Sequence, residues 1–419
     1  MRAYNCILIL LLFLLTHCAH YQREIKSPSE AMRLSQTAPN LEDDLDRESL
    51  LKGLQDLSKK HSLRPQTILR FGPEQMSAGA YADSLKKLIE VIEKNNNDLI
   101  WKQFIKDNFD FYEIFGKENW GDVFITSYFD PIIKGSRMPT KEYSQALYAT
   151  PNDLVVIRMN SFIEKFPALE AIRDKLSEQK SGGGILRGRL SPGSPIGVSG
   201  EIFPYYTREE IDSKNALKNK KLELCYVDPI DSFVLQIQGS GTILLDDASI
   251  LKVGYASQNG HPYVPIGKFL TDYIPLEEMN LDKIEQHLKG LSIEERQKML
   301  NKNPSYVFFQ KINSNSLSTF GTEVVPGRTI ATDPRYFPKG AMAFLEFEKP
   351  LEPKPKEPSQ TASATFTRRI VFDQDTGGAI RGPARLDLYW GKGDEAKQNA
   401  GRMKSWGKLY YLVPKKILP

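Results

Sequence analysis

Apolar residues recur along this chain at two periods, and the change from one to the other divides it. Over 41–60, LEDDLDRESLLKGLQDLSKK, Leu45, Leu51, Leu54 and Leu57 recur at roughly helical spacing. The stretch 84–94, SLKKLIEVIEK, is cleaner, with Leu85, Leu88, Ile89 and Ile92 on one face, which predicts packing and no chemistry. From Trp120 the texture changes to short β-type runs between turn residues: DVFITSYFDP, DLVVIRM, GGGILRGRL, DSFVLQIQGSGTILLDD and KVGYAS. A helical pattern returns over 276–302, where Ser292 and Glu295 spell a capping box at the start of SIEERQKMLNK. β runs then resume as SYVFFQKI, RTIATD, AMAFLEFE, RRIVFDQD, ARLDLYWG and KLYYLVPKK. The predicted class is mainly β with peripheral helices, in a sheet-rich or barrel-like body.

Two stretches lack either period. Residues 22–40 are polar and read as a tether, and EKPLEPKPKEPSQTASA at 348–364 reads as a solvated loop between strands. The N-terminus, MRAYNCILILLLFLLTHCAH, has Arg2 and then an apolar run from Cys6 to Leu15. A bilayer-spanning helix needs about 20 apolar residues, so the run has the proportions of a signal-peptide core and predicts export. The following LTHCAH resembles a bacterial lipobox, with Cys18 as the acylated first residue of the mature chain. His17 departs from that pattern, in which a small residue precedes the cysteine. The expectation is a signal peptide over 1–17 and a lipid-anchored tether over 18–40.

Composition narrows the function. The 419 residues leave room for two domains, and a net charge of +4 is too small to call for nucleic acid. With the leader removed and Cys18 acylated, Cys225 is left alone, so no disulfide framework is expected. The histidines, His17, His20, His61, His261 and His287, have no ligand-like spacing in the mature core, and neither metal nor cofactor is expected. Phosphate-cradling glycine loops are absent. Ser240 in QGSGT has only His261, in NGHPY, as a conceivable base, a weak hydrolase pattern.

Three acids on β-rich ground remain. Asp333 in IATDPRYFP and Asp375 in QDTGGAI sit in turn-like settings, where a carboxylate ordinarily caps backbone N–H groups. Asp387 in RLDLYWG lies inside a predicted strand, against β propensity and at a desolvation cost. Local rule-breaking of this kind marks functional sites.

SFVLQIQGSGTI, GYASQNGHPYVPIGK, NPSYVFFQ, ATDPRYFPKG, DTGGAIRGPARLDLYWG and AGRMKSWGKLYYLVPK resemble, in that order, the membrane-bound lytic transglycosylase A family. The last block resembles its 3D module, named for three aspartates. The resemblance runs from about Phe111 onward. It implies a double-psi β-barrel split in sequence, taking 41–131 and 311–419. A smaller β-rich domain is inserted over 132–310, with a glycan groove between the two.

The implied activity is that of a peptidoglycan lytic exotransglycosylase, a polysaccharide lyase that cleaves the MurNAc–GlcNAc β-1,4 bond without water. One aspartate acts as acid and then as base, leaving 1,6-anhydroMurNAc ends. Most glycosidases need two carboxylates, but an internal nucleophile removes that need. By resemblance Asp387 is the acid, kept protonated by burial beside Leu386, Leu388 and Tyr389, with Asp375 and Asp333 in support. Thr126, Ser127, Tyr128, Gln238, Ser240, Gly241, Asn259, Tyr263, Thr376, Gly377 and Gly378 are the substrate-binding candidates. Ser127 and Phe129 stand where the family often has Gly and Tyr.

The implied partners are peptidoglycan strands and, through Cys18, a membrane; the implied place is the outer membrane, facing the periplasm of a Gram-negative cell. Two other readings stay open: a water-using glycan hydrolase with Asp375 as base, and a non-enzymatic wall-binding lipoprotein.

Overall fold

The apolar stripe of the first helical pattern becomes the helix Arg47–Ser62, started by the Asp46 carboxylate, which accepts the Ser49 N–H. Leu50, Leu54 and Leu57 are buried, and Gly53 lets the helix lie directly against the ring of Phe372. The second pattern becomes Ala78–Lys94, with Leu85, Leu88, Ile89 and Ile92 all in the core. A third helix, Asp98–Asn108, buries only Trp101 and Ile105, too thin a stripe to stand out in the sequence. The computed structural model describes residues 25, 27–117, 119–169, 185–191, 201–313, 316–349, 366–378 and 380–415. Cys18, the apolar leader and most of the proline-rich loop lie outside the described residues.

Six strands close into a ring. Around it run Ser405–Pro414, Ala341–Glu348, Phe366–Asp375, Thr329–Ala331, Arg385–Lys392 and Asp122–Asp130, and the last pairs again with the first. Two neighbouring pairs are parallel, Thr329–Ala331 with Phe366–Asp375 and Arg385–Lys392 with Asp122–Asp130. This mixed ring is the double-psi barrel arrangement, and Phe344, Leu345, Val371, Phe372, Leu386, Leu388, Leu409 and Tyr411 belong to its core. Phe109–Ile114 extends the sheet outside the ring, and Met32–Leu34 pairs with it in turn. The expected tether therefore enters the sheet by Met32, because Ala31 and Met32 are apolar enough to be buried there.

A second sheet is ordered Val307–Lys311, Ile250–Gln258, Ser240–Leu245, Ile132–Ser136, Glu223–Val227, Gln145–Tyr148. It has its own core around Ile133, Leu147, Val227, Leu235, Ile243, Val253 and Phe309. A small third sheet joins Leu154–Arg158, Ile185–Leu190 and Ile202–Pro204. The capping box of Ser292 and Glu295 forms at the start of Ile293–Leu300, after a helix over Leu281–Gly290.

One β run is a correction. DSFVLQIQ is not strand but the body of the helix Pro229–Gln238. Asp228 caps Ile230 and Asp231, Pro229 takes the first turn, and Gly239 ends the helix at φ 83°. Among the described residues no helix is long and apolar enough to cross a membrane.

Candidate active site

Strand register assembles the site. Across four neighbouring strands Asp375, Ala331, Asp387 and Thr126 stand in one row, with the small Ala331 between the two acids. The Thr126 hydroxyl donates to Asp387 Oδ1. Gly377 brings backbone close, since a Cβ there would lie 3.8 Å from Asp387 Oδ2.

The reason for Asp387's environment differs from the expected one. Leu386 and Leu388 are its neighbours in sequence, but alternation turns them into the barrel core while Arg385 and Asp387 face the other way. Asp387 is partly buried on the opposite face of the strand instead. Loss of water raises its carboxyl above the ordinary value, and the Asp375 charge adds to that. The Thr126 hydroxyl and the Arg385 guanidinium act in opposition.

Asp375 is heavily engaged. Its Oδ2 accepts the Tyr128 hydroxyl at 2.9 Å; its Oδ1 accepts the Thr319 hydroxyl at 2.6 Å and the N–H groups of Thr319 and Thr376. Thr376 also meets Thr319 through their hydroxyls. Asp333 is buried and pairs with Arg335 at 2.7 Å while accepting the Gly382 N–H at 2.9 Å. Burial alone would raise it, but the bonds from Arg335 and Gly382 bring it below the ordinary carboxylate range. Its own turn, through Arg335 and Tyr336, is what it holds.

Tyr263, in the loop after Ile250–Gln258, has its hydroxyl raised above the ordinary value by burial; the charges of Arg208 and Arg385 oppose this and that of Asp387 adds to it.

Residues 124–310 match the MltA specific insert domain, and residues 328–413 match the 3D domain. The chain belongs to the membrane-bound lytic transglycosylase A family. Membrane-bound lytic murein transglycosylase A of Escherichia coli K12 is 28% identical over 310 residues, covering 72% of this chain and 69% of its own. The fold is shared with solved structures. The membrane-bound lytic murein transglycosylase of Agrobacterium tumefaciens superposes with a TM-score of 0.67 at 23% identity, over 88% of this chain and 93% of that one. The Escherichia coli MltA structure with bound chitohexaose gives 0.65 at 20%, over 94% and 98%.

Against this family background, the sequence-derived candidates fall into two groups. Thr126, Tyr128, Tyr263, Asp375, Thr376 and Gly377 gather around Asp387, and Gly378 stands in open space beside them. The others hold structure. Ser127 points away and donates to Ala400 O. Asn259 is 1% exposed and fully engaged, its amide donating to Tyr206 O and Pro304 O and its oxygen accepting from Tyr306 and His261. Gln238 accepts the Phe129 N–H, and Gly241 packs against Leu235 and Pro131. Ser240 donates to Asp130, a buried acid that also accepts from Ser316 at 2.5 Å and Tyr389 at 3.0 Å. Sequence reasoning missed Asp130, Thr319 and Arg385. Only Arg385 left a signal, standing two residues before the acid on the same face.

Proposed function

We propose that this chain is a lytic transglycosylase of peptidoglycan in which Asp387 serves first as acid and then as base. Its protonated carboxyl gives a proton to the oxygen between MurNAc and GlcNAc as positive charge builds on the MurNAc anomeric carbon. The carboxylate left behind, held by the Thr126 hydroxyl, takes the proton of the same sugar's C6 hydroxyl. That oxygen closes the 1,6-anhydro ring, so no water enters.

The observation that supports this over hydrolysis is the state of Asp375. A hydrolase needs a second carboxylate with a lone pair open to water. Asp375 is tied down: Oδ1 accepts the Thr319 hydroxyl and the N–H groups of Thr319 and Thr376, and Oδ2 accepts the Tyr128 hydroxyl, which leaves at most one lone pair, on Oδ2, in a carboxylate fixed by four bonds. Asp375 instead positions the Tyr128 hydroxyl and adds to the field that keeps Asp387 protonated. Digestion of purified sacculi tests the reading. Every new reducing end should carry anhydroMurNAc; ends heavier by one water throughout would make the chain a hydrolase, and binding without release would make it a wall-binding protein.

The proposal includes the domain division, with 132–310 inserted into a barrel of 41–131 and 311–419. It also includes membrane attachment as an outer-membrane lipoprotein facing the periplasm, through acylated Cys18. Cys18→Ala should then be recovered soluble or unprocessed. A cleaved Cys18→Ala chain that still fractionates with membranes would sink the anchor.

A further inference from the structure

Two rows of side chains cross the barrel wall where the proposed acid stands. One holds Thr126 and Asp387. The other lies two residues back along the same strands, where Trp406 pairs with Phe124 and Phe124 pairs with Arg385. The register does not shift between the two rows, and side chains two apart on a strand share a face, roughly 7 Å from each other. The residues between them confirm the facing. Val123, Ile125 and Leu386 are buried in the barrel core, and a Cβ at Gly407 would lie 2.7 Å from the Ile125 side chain. Trp406 and Phe124 therefore point outward, with Arg385, Thr126 and Asp387.

The Trp406 and Phe124 rings stand 5.3 Å apart between centroids, at an interplanar angle of 53°. Trp406 is still 51% exposed, and Phe124 is only half-buried. A single apolar residue in water is ordinary. This one is joined to a second ring and runs on, without a break in the sheet, into the hydroxyl of Thr126 and the carboxyl of Asp387. Aromatic rings beside a few fixed polar groups are the usual lining of a ligand site. From Trp406 to Asp387 is two strand spacings across and two residues along, roughly 12 Å by ordinary sheet dimensions. That is longer than one pyranose ring.

A β-1,4-linked sugar carries its hydroxyls at the ring edge and C–H bonds on its faces. Those faces are apolar and slightly positive, so they settle on the negative face of an aromatic ring. We propose that Trp406 and Phe124 form a stacking subsite for a sugar of the glycan strand, on the Asp387 face and set back from the bond that is cut. This rests on the proposed function only in taking glycan strands as the polymer. Stacking reads the face of a sugar and not its edge substituents, so the subsite grips the strand without telling GlcNAc from MurNAc.

Calorimetric binding of chitohexaose and of a peptide-free MurNAc–GlcNAc hexasaccharide to an Asp387→Asn chain tests this. Adding Trp406→Ala should weaken both probes equally, by about threefold to tenfold. Trp406→Leu, apolar but without a flat face, should weaken them as much, whereas Trp406→Tyr should keep most of the affinity. Either probe should also shield the indole of Trp406 from acrylamide quenching, a fluorescence change that disappears in Trp406→Phe. Unchanged binding in Trp406→Ala overturns the subsite, leaves the aromatic pair to a membrane or protein contact, and lets the proposed function stand. Full affinity in Trp406→Leu, or a Trp406→Tyr chain as weak as Trp406→Ala, overturns the stacking in the same way. A parent chain that binds neither probe overturns the subsite and the proposed function together.

Discussion

Replacing Asp387 with Asn keeps the shape and the oxygen that accepts from Thr126 while removing the transferable proton. Release of material from sacculi should fall by about 10²- to 10⁴-fold or more, with binding to sacculi retained. Near-normal turnover in this variant, with Asp375→Asn dead, would move the acid to Asp375. The same substitution has a pH signature. The folded protein holds the Asp387 proton above the ordinary value of 3.8, so it binds more protons than the unfolded chain across that window. Stability is therefore lost as pH rises through the folded-state value. Asp387→Asn should raise the melting temperature at neutral pH by about a few degrees and leave it unchanged near pH ~3. Asp375→Asn should lower activity only in part, while Asp333→Asn should mainly lower stability, because its carboxylate holds Arg335 and the Gly382 N–H. The position proposed for the acid was legible, since an aspartate inside a strand stands out against its neighbours. Its surroundings were not. Thr126 and Thr319 reach the two acids from distant segments, and only register shows that Leu386 and Leu388 turn away.

The elements that were easy to read had one strong signal each: a full apolar stripe in Ala78–Lys94, a capping box before Ile293–Leu300, a β-type run over Arg385–Lys392. Pro229–Gln238 was misread because its branched and aromatic residues favour strand, while its end signals favour helix. The ends won. Asp228→Ala, which frees the N–H groups of Ile230 and Asp231, should cost about 0.5–2 kcal/mol in a denaturant titration. Gly239→Ala should also destabilise, because Gly239 holds φ at 83° where a side chain is strained. Either change should loosen the Gln238 bond to the Phe129 N–H, which ties this helix to the barrel strand leading into the insert.

At the scale of the whole molecule, Asp130 joins pieces that the sequence keeps far apart. It ends a barrel strand and accepts hydroxyls from Ser240 in the second sheet, Ser316 on the return path and Tyr389 on the strand of Asp387. Asp130→Ala leaves these hydroxyls without their acceptor and should cost about 1–3 kcal/mol. Thermal melting checks this, and sacculus digestion well below the melt should be slowed as the two sheets lose their common tie. Such long-range pairing explains why residues alone predicted barrel-like texture, whereas the split barrel came only from family resemblance. The ring also sets an order of assembly during synthesis. All six strands of the second sheet lie between residues 132 and 311, so that sheet can form while Asp122–Asp130 still waits for Arg385–Lys392 and Ser405–Pro414. A chain truncated at residue 320 should yield a protease-resistant fragment near 132–311 and lose 122–130 to digestion. No nascent chain shorter than residue 387 contains the proposed acid, and none shorter than 405 can close the wall that holds it. The proposed acid and the wall that holds it are thus completed only after every strand of the second sheet has been made.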